Sequence, residues 1–241
     1  MTSPIERRAL ITGASSGIGK ATALAFARAG IDVALVSRSQ DKLETVATEA
    51  REAGVKAKVY PLDLAKVEQV QAGISAIAAD FAPIDILVNN AGIGYTNPLN
   101  QTPLSDWQDV MNLNLTSVFQ CILGVLPTMR DQQRGIIINV ASVAGLQPFP
   151  NWGAYNVSKA GLIALSKTLA AEERIHGIRV VTISPGAVNT SLWDTDTVQV
   201  DLNRSAMLTP EIVAQSILHT TLLPEQAVIE SVTLMPSAGT L

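Results

Sequence analysis

Short apolar runs alternate with longer helical stretches along the whole chain, and this rhythm limits the fold more than any other feature of the sequence. The runs are Ala9-Leu10-Ile11, Val33 to Val36, Ala57 to Tyr60, Ile86-Leu87-Val88, Ile136 to Val140, Val180 to Ile183 and Val232-Thr233-Leu234. Between them lie stretches of helical pattern at Ile18 to Arg28, Lys42 to Glu52, Val67 to Ala79, Trp107 to Arg130 and Ala160 to Arg174. A last helix is expected over Glu211 to Thr221, opened by Thr209-Pro210 with a good N-cap residue and proline at the first turn. Strands that alternate with helices of this length make βαβ units, and the parallel sheet they build is covered on both faces. Strands buried on both sides read as continuous apolar runs, as these do. The expected fold is therefore α/β, a three-layer, doubly wound sheet of about seven parallel strands with helices on both faces. No linker, repeat or low-complexity segment divides residues 1–241, which are read as one domain.

Composition narrows the function. Of 241 residues 47% are hydrophobic and 16% charged, with a formal net charge of −4. The apolar content excludes a disordered chain, and the single Cys121 excludes a disulfide scaffold and fits a reducing compartment. Net acidity argues against nucleic acid as a partner, since phosphate binding needs clustered Lys and Arg. The longest uncharged stretch, Gly135 to Ser158, contains Asn139, Pro148, Pro150 and Asn151, and its strongly apolar part is only Ile136-Ile137-Ile138. That is too little for a bilayer span, which takes about 20 mostly apolar residues. With no signal-peptide pattern at Met1 to Arg8, the expectation is a soluble cytoplasmic protein without a membrane partner. His176 and His219 lack neighbours at metal-ligand spacing and read as surface residues, so no metal site is expected. Cys121, in an apolar helix, reads as inert core.

The first run ends in Thr12-Gly13-Ala14-Ser15-Ser16-Gly17-Ile18-Gly19, and a helix follows at once. Glycines 13, 17 and 19 let the backbone turn sharply and approach a pyrophosphate, while the new helix offers free N–H groups to an anion. A tight turn without a ligand gives the same glycines, and the strand–loop–helix context favours the cofactor. The ribose is expected at the end of the second strand, where the chain reads Ser37-Arg38-Ser39. A carboxylate there would suit NAD; Arg38 instead offers a planar fork to a 2′-phosphate, with two hydroxyls beside it, which selects NADP(H) over a merely solvated arginine. Asp41 fits the first turn of the next helix.

Ser142 stands at the end of the fifth strand, and Tyr155 and Lys159 follow, four residues apart and so on one helical face. A phenol with a pKa near 10 is a poor base at neutral pH, and a neighbouring ammonium favours the phenolate. Ser142 is placed to hydrogen-bond an oxygen on which charge develops. A helix-start tyrosine beside a surface lysine is the plainer alternative; the preceding glycine loop and strand-end serine argue against it.

In this order the motifs resemble those of the short-chain dehydrogenases/reductases of the compact, single-domain kind. The resemblance runs from the glycine loop to Pro185-Gly186 and implies a Rossmann-type sheet. It implies a catalytic set of Asn114, Ser142, Tyr155 and Lys159, with Asn114 holding a water in a proton relay through Lys159. It also implies cofactor contacts from Gly13, Ser15, Ser16, Gly17, Ile18 and Gly19, from Ser37, Arg38 and Ser39, and from Asp63 and Leu64 at the adenine. Further contacts are implied for Asn90, Ala91 and Gly92, for Tyr155 and Lys159 at the ribose, and for Pro185, Gly186, Val188 and Thr190 around the nicotinamide. Taken singly, Asp63 also reads as a helix cap, Asn114 as a polar helix residue and Asn89-Asn90 as a turn.

The function so implied is NADP(H)-dependent interconversion of a carbonyl compound and its alcohol, with Tyr155 as general acid/base. The segment 190–209 is expected to form a substrate lid, supplying Leu192, Trp193, Val198, Val200, Leu202 and Met207 among Asp194, Asp196 and Asp201. Pro148, Phe149 and Trp152 are expected to add an aromatic wall, so the favoured substrate is a ketone or aldehyde with apolar substituents. A 3-oxoacyl-acyl-carrier-protein reductase is the rival. It needs a basic docking patch, for which Arg130, Arg134 and Arg174 are the candidates. Where that group is expected to have Val-Asp-Gly-Gly, this chain has Val232-Thr233-Leu234-Met235-Pro236-Ser237. A non-catalytic NADPH sensor would be expected to lack Ser142, Tyr155 or Lys159, and a methyltransferase gives no reason for the Tyr–Lys pair. The helices from Trp107 and from Tyr155 are expected to pack against other subunits in a homo-oligomer, a tetramer or else a dimer.

Overall fold

The computed structural model describes residues 7–200, 203–237 and 239. Seven strands, β1 (Arg8–Thr12), β2 (Asp32–Ser37), β3 (Ala57–Pro61), β4 (Ile86–Asn89), β5 (Gly135–Val140), β6 (Ile178–Pro185) and β7 (Ser231–Leu234), form one sheet. All pairs are parallel, in the order β3-β2-β1-β4-β5-β6-β7. The helices are α1 (Gly17–Arg28), α2 (Gln40–Glu52), α3 (Val67–Asp80), α4 (Leu104–Met111), α5 (Ser117–Asp131), α6 (Gly153–Glu173) and α7 (Pro210–Thr221).

The period-2 alternation of the strands divides their side chains between two cores. Ala9, Ile11, Ile86, Val88, Ile136 and Ile138 face one layer with Phe26, Leu43 and Ile217 from α1, α2 and α7. Leu10, Leu87 and Ile137 face the other with Ile74, Ile122, Met129 and Leu162 from α3, α5 and α6. The inner strands are thus largely apolar on both sides, which is why their runs in the sequence are continuous, while the edge strands β3 and β7 expose Lys58, Ser231 and Thr233. Chain order reverses between β1 and β4, and the carboxyl ends of these strands flank a crevice of the kind that holds ligands in doubly wound sheets.

Two helices differ from expectation. The stretch Trp107 to Arg130 is not one helix: a π-helical turn, Asn112–Thr116, separates α4 from α5. From Leu104 to Asp131 it is long and apolar enough by composition to cross a membrane, yet half of its most apolar window is buried within the fold, with α5 lying against α3. The helix expected from Ala160 begins at Gly153, so Tyr155 lies in its first turn. Cys121 is buried, and burial pushes its thiol up to about 12.

Candidate active site

The walls of the crevice are assembled from the ends of β1, β2, β4, β5 and β6. After Thr12 the backbone enters the left-handed region at Gly13 (φ +64°), and α1 begins four residues later. A side chain at Gly13 would place its Cβ 2.8 Å from Asn90 Nδ2 and 2.9 Å from Ala91 Cα. The two loops approach this closely because they are hydrogen-bonded together. Thr12 Oγ1 accepts from the N–H groups of Asn90 (3.0 Å) and Ala91 (3.2 Å), and Asn90 Nδ2 donates to the carbonyls of Thr12 (3.1 Å) and Gly13 (3.3 Å). Gly19 is buried rather than open to the crevice, and a Cβ on it would collide with the Gly13 carbonyl oxygen. Ser16, the N-cap of α1, makes no side-chain capping bond, which leaves the first-turn N–H groups for a ligand.

A cavity of about 560 Å³ opens above this loop. Ser15, Ser16, Gly17 and Ile18 line its floor; Ser37, Arg38, Ser39, Asp63 and Leu64 line one end. Asn90, Ala91, Gly92, Pro185, Gly186, Val188 and Thr190 line its middle, and Ser142, Tyr155 and Lys159 its inner wall. Every sequence-predicted site residue lines this cavity except Gly19 and Asn114. Bare backbone at Gly13, open helix N–H groups and a cationic end together fit an NADP(H)-sized dinucleotide.

Lys42, in the first turn of α2 beside Arg38, was not among the expected cofactor residues and also lines the cavity. Among the described residues neither cation has a carboxylate partner, so both are available to a phosphate at that end. Lys42 lies in the first turn of α2, whose N-cap position Ser39 occupies, and so only a few residues beyond Arg38. Asp41 joins the same turn, as expected. Asp63 serves a local turn as well, its Oδ1 accepting from the Ala65 N–H at 3.1 Å.

The second layer is a buried polar ladder. Asn89 Nδ2 donates to Asn139 Oδ1 (2.9 Å), and Asn139 Nδ2 donates to Ser166 Oγ (2.9 Å), tying β4, β5 and α6 together under the site. Asn114, fully buried in the π turn, brackets Ile93: its Oδ1 accepts from the Ile93 N–H (2.8 Å) and its Nδ2 donates to the Ile93 carbonyl (2.9 Å) and Ser158 Oγ (3.2 Å). The Asn114 side chain makes no direct bond to Lys159. Its amide instead fixes the loop after Gly92, where a Cβ would stand 3.0 Å from Asn114 Oδ1 and 3.7 Å from Lys159 Nζ.

Ser142 follows β5, and its Oγ accepts from the Ala144 N–H at 3.1 Å. One turn along α6 from Tyr155, Lys159 Nζ donates to the Val140 carbonyl at 2.9 Å and lies 5.7 Å from the Tyr155 ring centroid. Burial lowers the Lys159 amine to about 8. Burial also raises the Tyr155 phenol, against a smaller downward pull from the Ser142 hydroxyl. The expected lowering of the tyrosine by Lys159 is therefore not a property of the protein alone, because desolvation dominates both groups.

The expected wall and lid are sorted by the structure. Phe149, Trp152, Leu192, Trp193 and Val200 line the cavity; Pro148 does not, and Val198 and Met207 are themselves buried. Asp201 and Leu202 lie outside the described residues. Trp152 packs edge-on against Tyr155 (centroids 5.2 Å apart) and against Trp193 (5.8 Å). Ile93, Gly94, Leu113, Met235 and Pro236 are among the further lining residues, Leu113 from the π turn and the others from loops that carry no periodic signal in the sequence.

A family profile described as "short chain dehydrogenase" matches residues 7–200. A 3-oxoacyl-[acyl-carrier-protein] reductase FabG of Staphylococcus epidermidis is 40% identical over 185 residues, 76% of each chain. Among solved structures, an alcohol dehydrogenase from the archaeon Thermococcus sibiricus complexed with 5-hydroxy-NADP superposes with a TM-score of 0.89 at 29% identity, covering 98% of this chain and 99% of that one. A metagenomic short-chain oxidoreductase in complex with NADP gives a TM-score of 0.84 at 31% identity, covering 96% and 97%. With the glycine loop, the strand-end serine and the Tyr–Lys turn all within the matched span, the chain belongs to the short-chain dehydrogenase family and is an oxidoreductase of that kind.

Proposed function

We propose that the protein is an NADP(H)-dependent reductase of ketones or aldehydes with apolar substituents, acting reversibly on the corresponding alcohols. The observation that carries this reading is the meeting of Ser142, Tyr155 and Lys159 with the glycine loop and Arg38 around one cavity. NADP(H) supplies the hydride when bound. The phosphate end is assigned to Arg38 and Lys42 with Ser37 and Ser39, and the pyrophosphate to the open N-terminus of α1. Tyr155 holds the proton for the substrate oxygen; burial favours its neutral phenol, which suits a general acid in the reducing direction. Ser142 Oγ hydrogen-bonds the same oxygen, and Lys159 orients the ribose. Segment 190–209 acts as a lid, and Phe149, Trp152, Leu192 and Trp193 form an apolar substrate wall that excludes water.

A second reading, reduction of 3-oxoacyl thioesters on an acyl carrier, is favoured by the names of the similar curated proteins. Against it, two of the three candidate docking cations are engaged by buried carboxylates, Arg130 by Glu173 and Arg134 by Asp85, while Arg174, 3.8 Å from the exposed Glu230, stays open to solvent. NADPH oxidation against a panel of ketones, aldehydes and acetoacetyl thioesters separates the two. Preference for the apolar ketones is expected; higher kcat/KM with the thioester moves the assignment to the second reading, and no turnover on any member overturns both. A homo-oligomer is also proposed, formed through α4 to α6, where Leu104, Phe119 and Val157 are exposed; light scattering checks it. The free, buried Cys121 agrees with a cytoplasmic setting.

A further inference from the structure

The lid is not held by packing alone. Its residue Arg204 reaches back to the segment that leaves β6 and binds three acceptors with separate N–H groups. Nε donates to Asn189 Oδ1 (2.8 Å), one terminal nitrogen to the Thr190 carbonyl (2.9 Å) and the other to Asp194 Oδ1 (2.9 Å). The same segment is pinned on its other side by backbone. Leu208 N–H donates to the Ala187 carbonyl (2.9 Å), and Asn189 N–H donates to the Leu208 carbonyl (2.8 Å). Trp193 Nε1 donates to the Val188 carbonyl at 2.7 Å. Three anchors thus converge on Val188, Asn189 and Thr190, and Thr190 Cγ2 in turn lies only 3.1 Å from where a Cβ on Gly17 would stand.

The charged partner is not the reason for this arrangement. The Asp194 side chain is 63% exposed and that of Arg204 36%, and an exposed ion pair of this kind contributes about 0–1 kcal/mol. What distinguishes the arginine is geometry: its planar fork addresses Asn189 and Thr190 at once, which a lysine ammonium on a flexible stem cannot reproduce.

We infer that Arg204 is a positioning residue that fixes Val188–Thr190 against the nicotinamide half of the cofactor. The inference rests on the proposed reading of the site as one for NADP(H). Because only one half of the cofactor is concerned, its effect separates from general folding when two ligands are compared. NADPH carries the nicotinamide; 2′,5′-ADP carries only the adenosine end, bound at Arg38 and Lys42.

The experiment titrates wild type, Arg204→Lys, Arg204→Met and Asp194→Asn with each ligand and records Tm. For both Arg204 variants the NADPH Kd is expected to rise about tenfold, the loss of one or two net hydrogen bonds. Their Kd for 2′,5′-ADP and their Tm should stay at wild-type values, and Asp194→Asn should resemble wild type throughout. Parallel weakening of both ligands, a falling Tm, or an unchanged Arg204→Lys each overturns the inference. Wild type that binds 2′,5′-ADP and NADPH but reduces no carbonyl refutes the reductase reading alone, and the binding comparison still decides the role of Arg204. Wild type that binds neither ligand refutes the reading and this inference with it.

Discussion

At the phosphate-loop end of the cavity the walls are backbone: Gly13 lies against Ala91, Thr12 bridges two N–H groups, and a helix N-terminus stands open. At the opposite end the walls are side chains, Trp152, Leu192, Trp193 and Val200, carried on loops and a short 3-10 turn. The first kind of wall tolerates no added atom, because the neighbouring atoms belong to a main chain that the sheet holds in place. The second kind is replaceable residue by residue, since each side chain contributes area rather than a fixed path for the chain. Main chain thus shapes the pyrophosphate end of the crevice and side chains its outer end, two different building materials in one cavity.

The sharpest test of this contrast lies where the two ends meet. Tyr155→Phe removes the proposed proton donor but no wall, so turnover should fall about 10²–10⁴-fold while the NADPH Kd stays within roughly threefold of wild type. Turnover left unchanged would break the assignment. Arg38→Asp replaces a phosphate-binding cation with a ribose-binding anion. It should move the NADPH/NADH preference by about 10²-fold toward NADH, measured as the ratio of kcat/KM values.

Gly13→Ala and Gly30→Ala both place a Cβ at positive φ, but only the first meets backbone; nothing lies within 4 Å at Gly30. Gly13→Ala should cost about 2 kcal/mol of NADPH binding or stability beyond the loss at Gly30. Equal losses would mean that the loop is not held rigidly. A pH titration addresses Lys159. With its amine near 8 in the free protein, NADPH affinity should be flat below pH 8, where the ammonium is already present. Above pH 8 it should fall by up to about tenfold per unit, because binding must then take up a proton. Lys159→Met should flatten that profile. Smallest is Leu192→Val, which removes one methylene from the cavity wall and should alter relative kcat/KM among ketones about fourfold while leaving NADPH Kd unchanged.

How far the sequence disclosed all this follows the same contrast. The five inner strands were legible because a strand buried on both faces reads as an apolar run, as Ile136-Ile137-Ile138 does, and the edge strands β3 and β7 because of their place in the alternation. The glycine loop, Ser142 and the Tyr155–Lys159 turn were legible because each lies at a strand end or on one helical face, at fixed spacing. The π turn was not, because Asn112-Leu113-Asn114-Leu115-Thr116 has an apolar pattern that an α-helix accommodates equally. Nor were Leu113 and Met235 as lining residues, or Arg204 as a hydrogen-bond partner of Asn189 and Thr190. These meet the site through tertiary contacts across tens to hundreds of residues, and no local period encodes such distances.

The extra residue in that π turn also acts as a phase shifter. An α-helix advances about 100° per residue, so one inserted residue turns everything after it by that angle relative to everything before. α4 and α5 are thereby set independently: the first presents Val110 toward Tyr95 and Ala154 near the substrate wall, and the second turns Val118, Cys121 and Ile122 into the core beneath the sheet. Deleting a single residue between 112 and 116 would restore an unbroken helix at the cost of this independence. Either Asn114 would lose its hold on Ile93, or the apolar face of α5 would rotate out of the core. The segment can exchange residues more easily than it can change length.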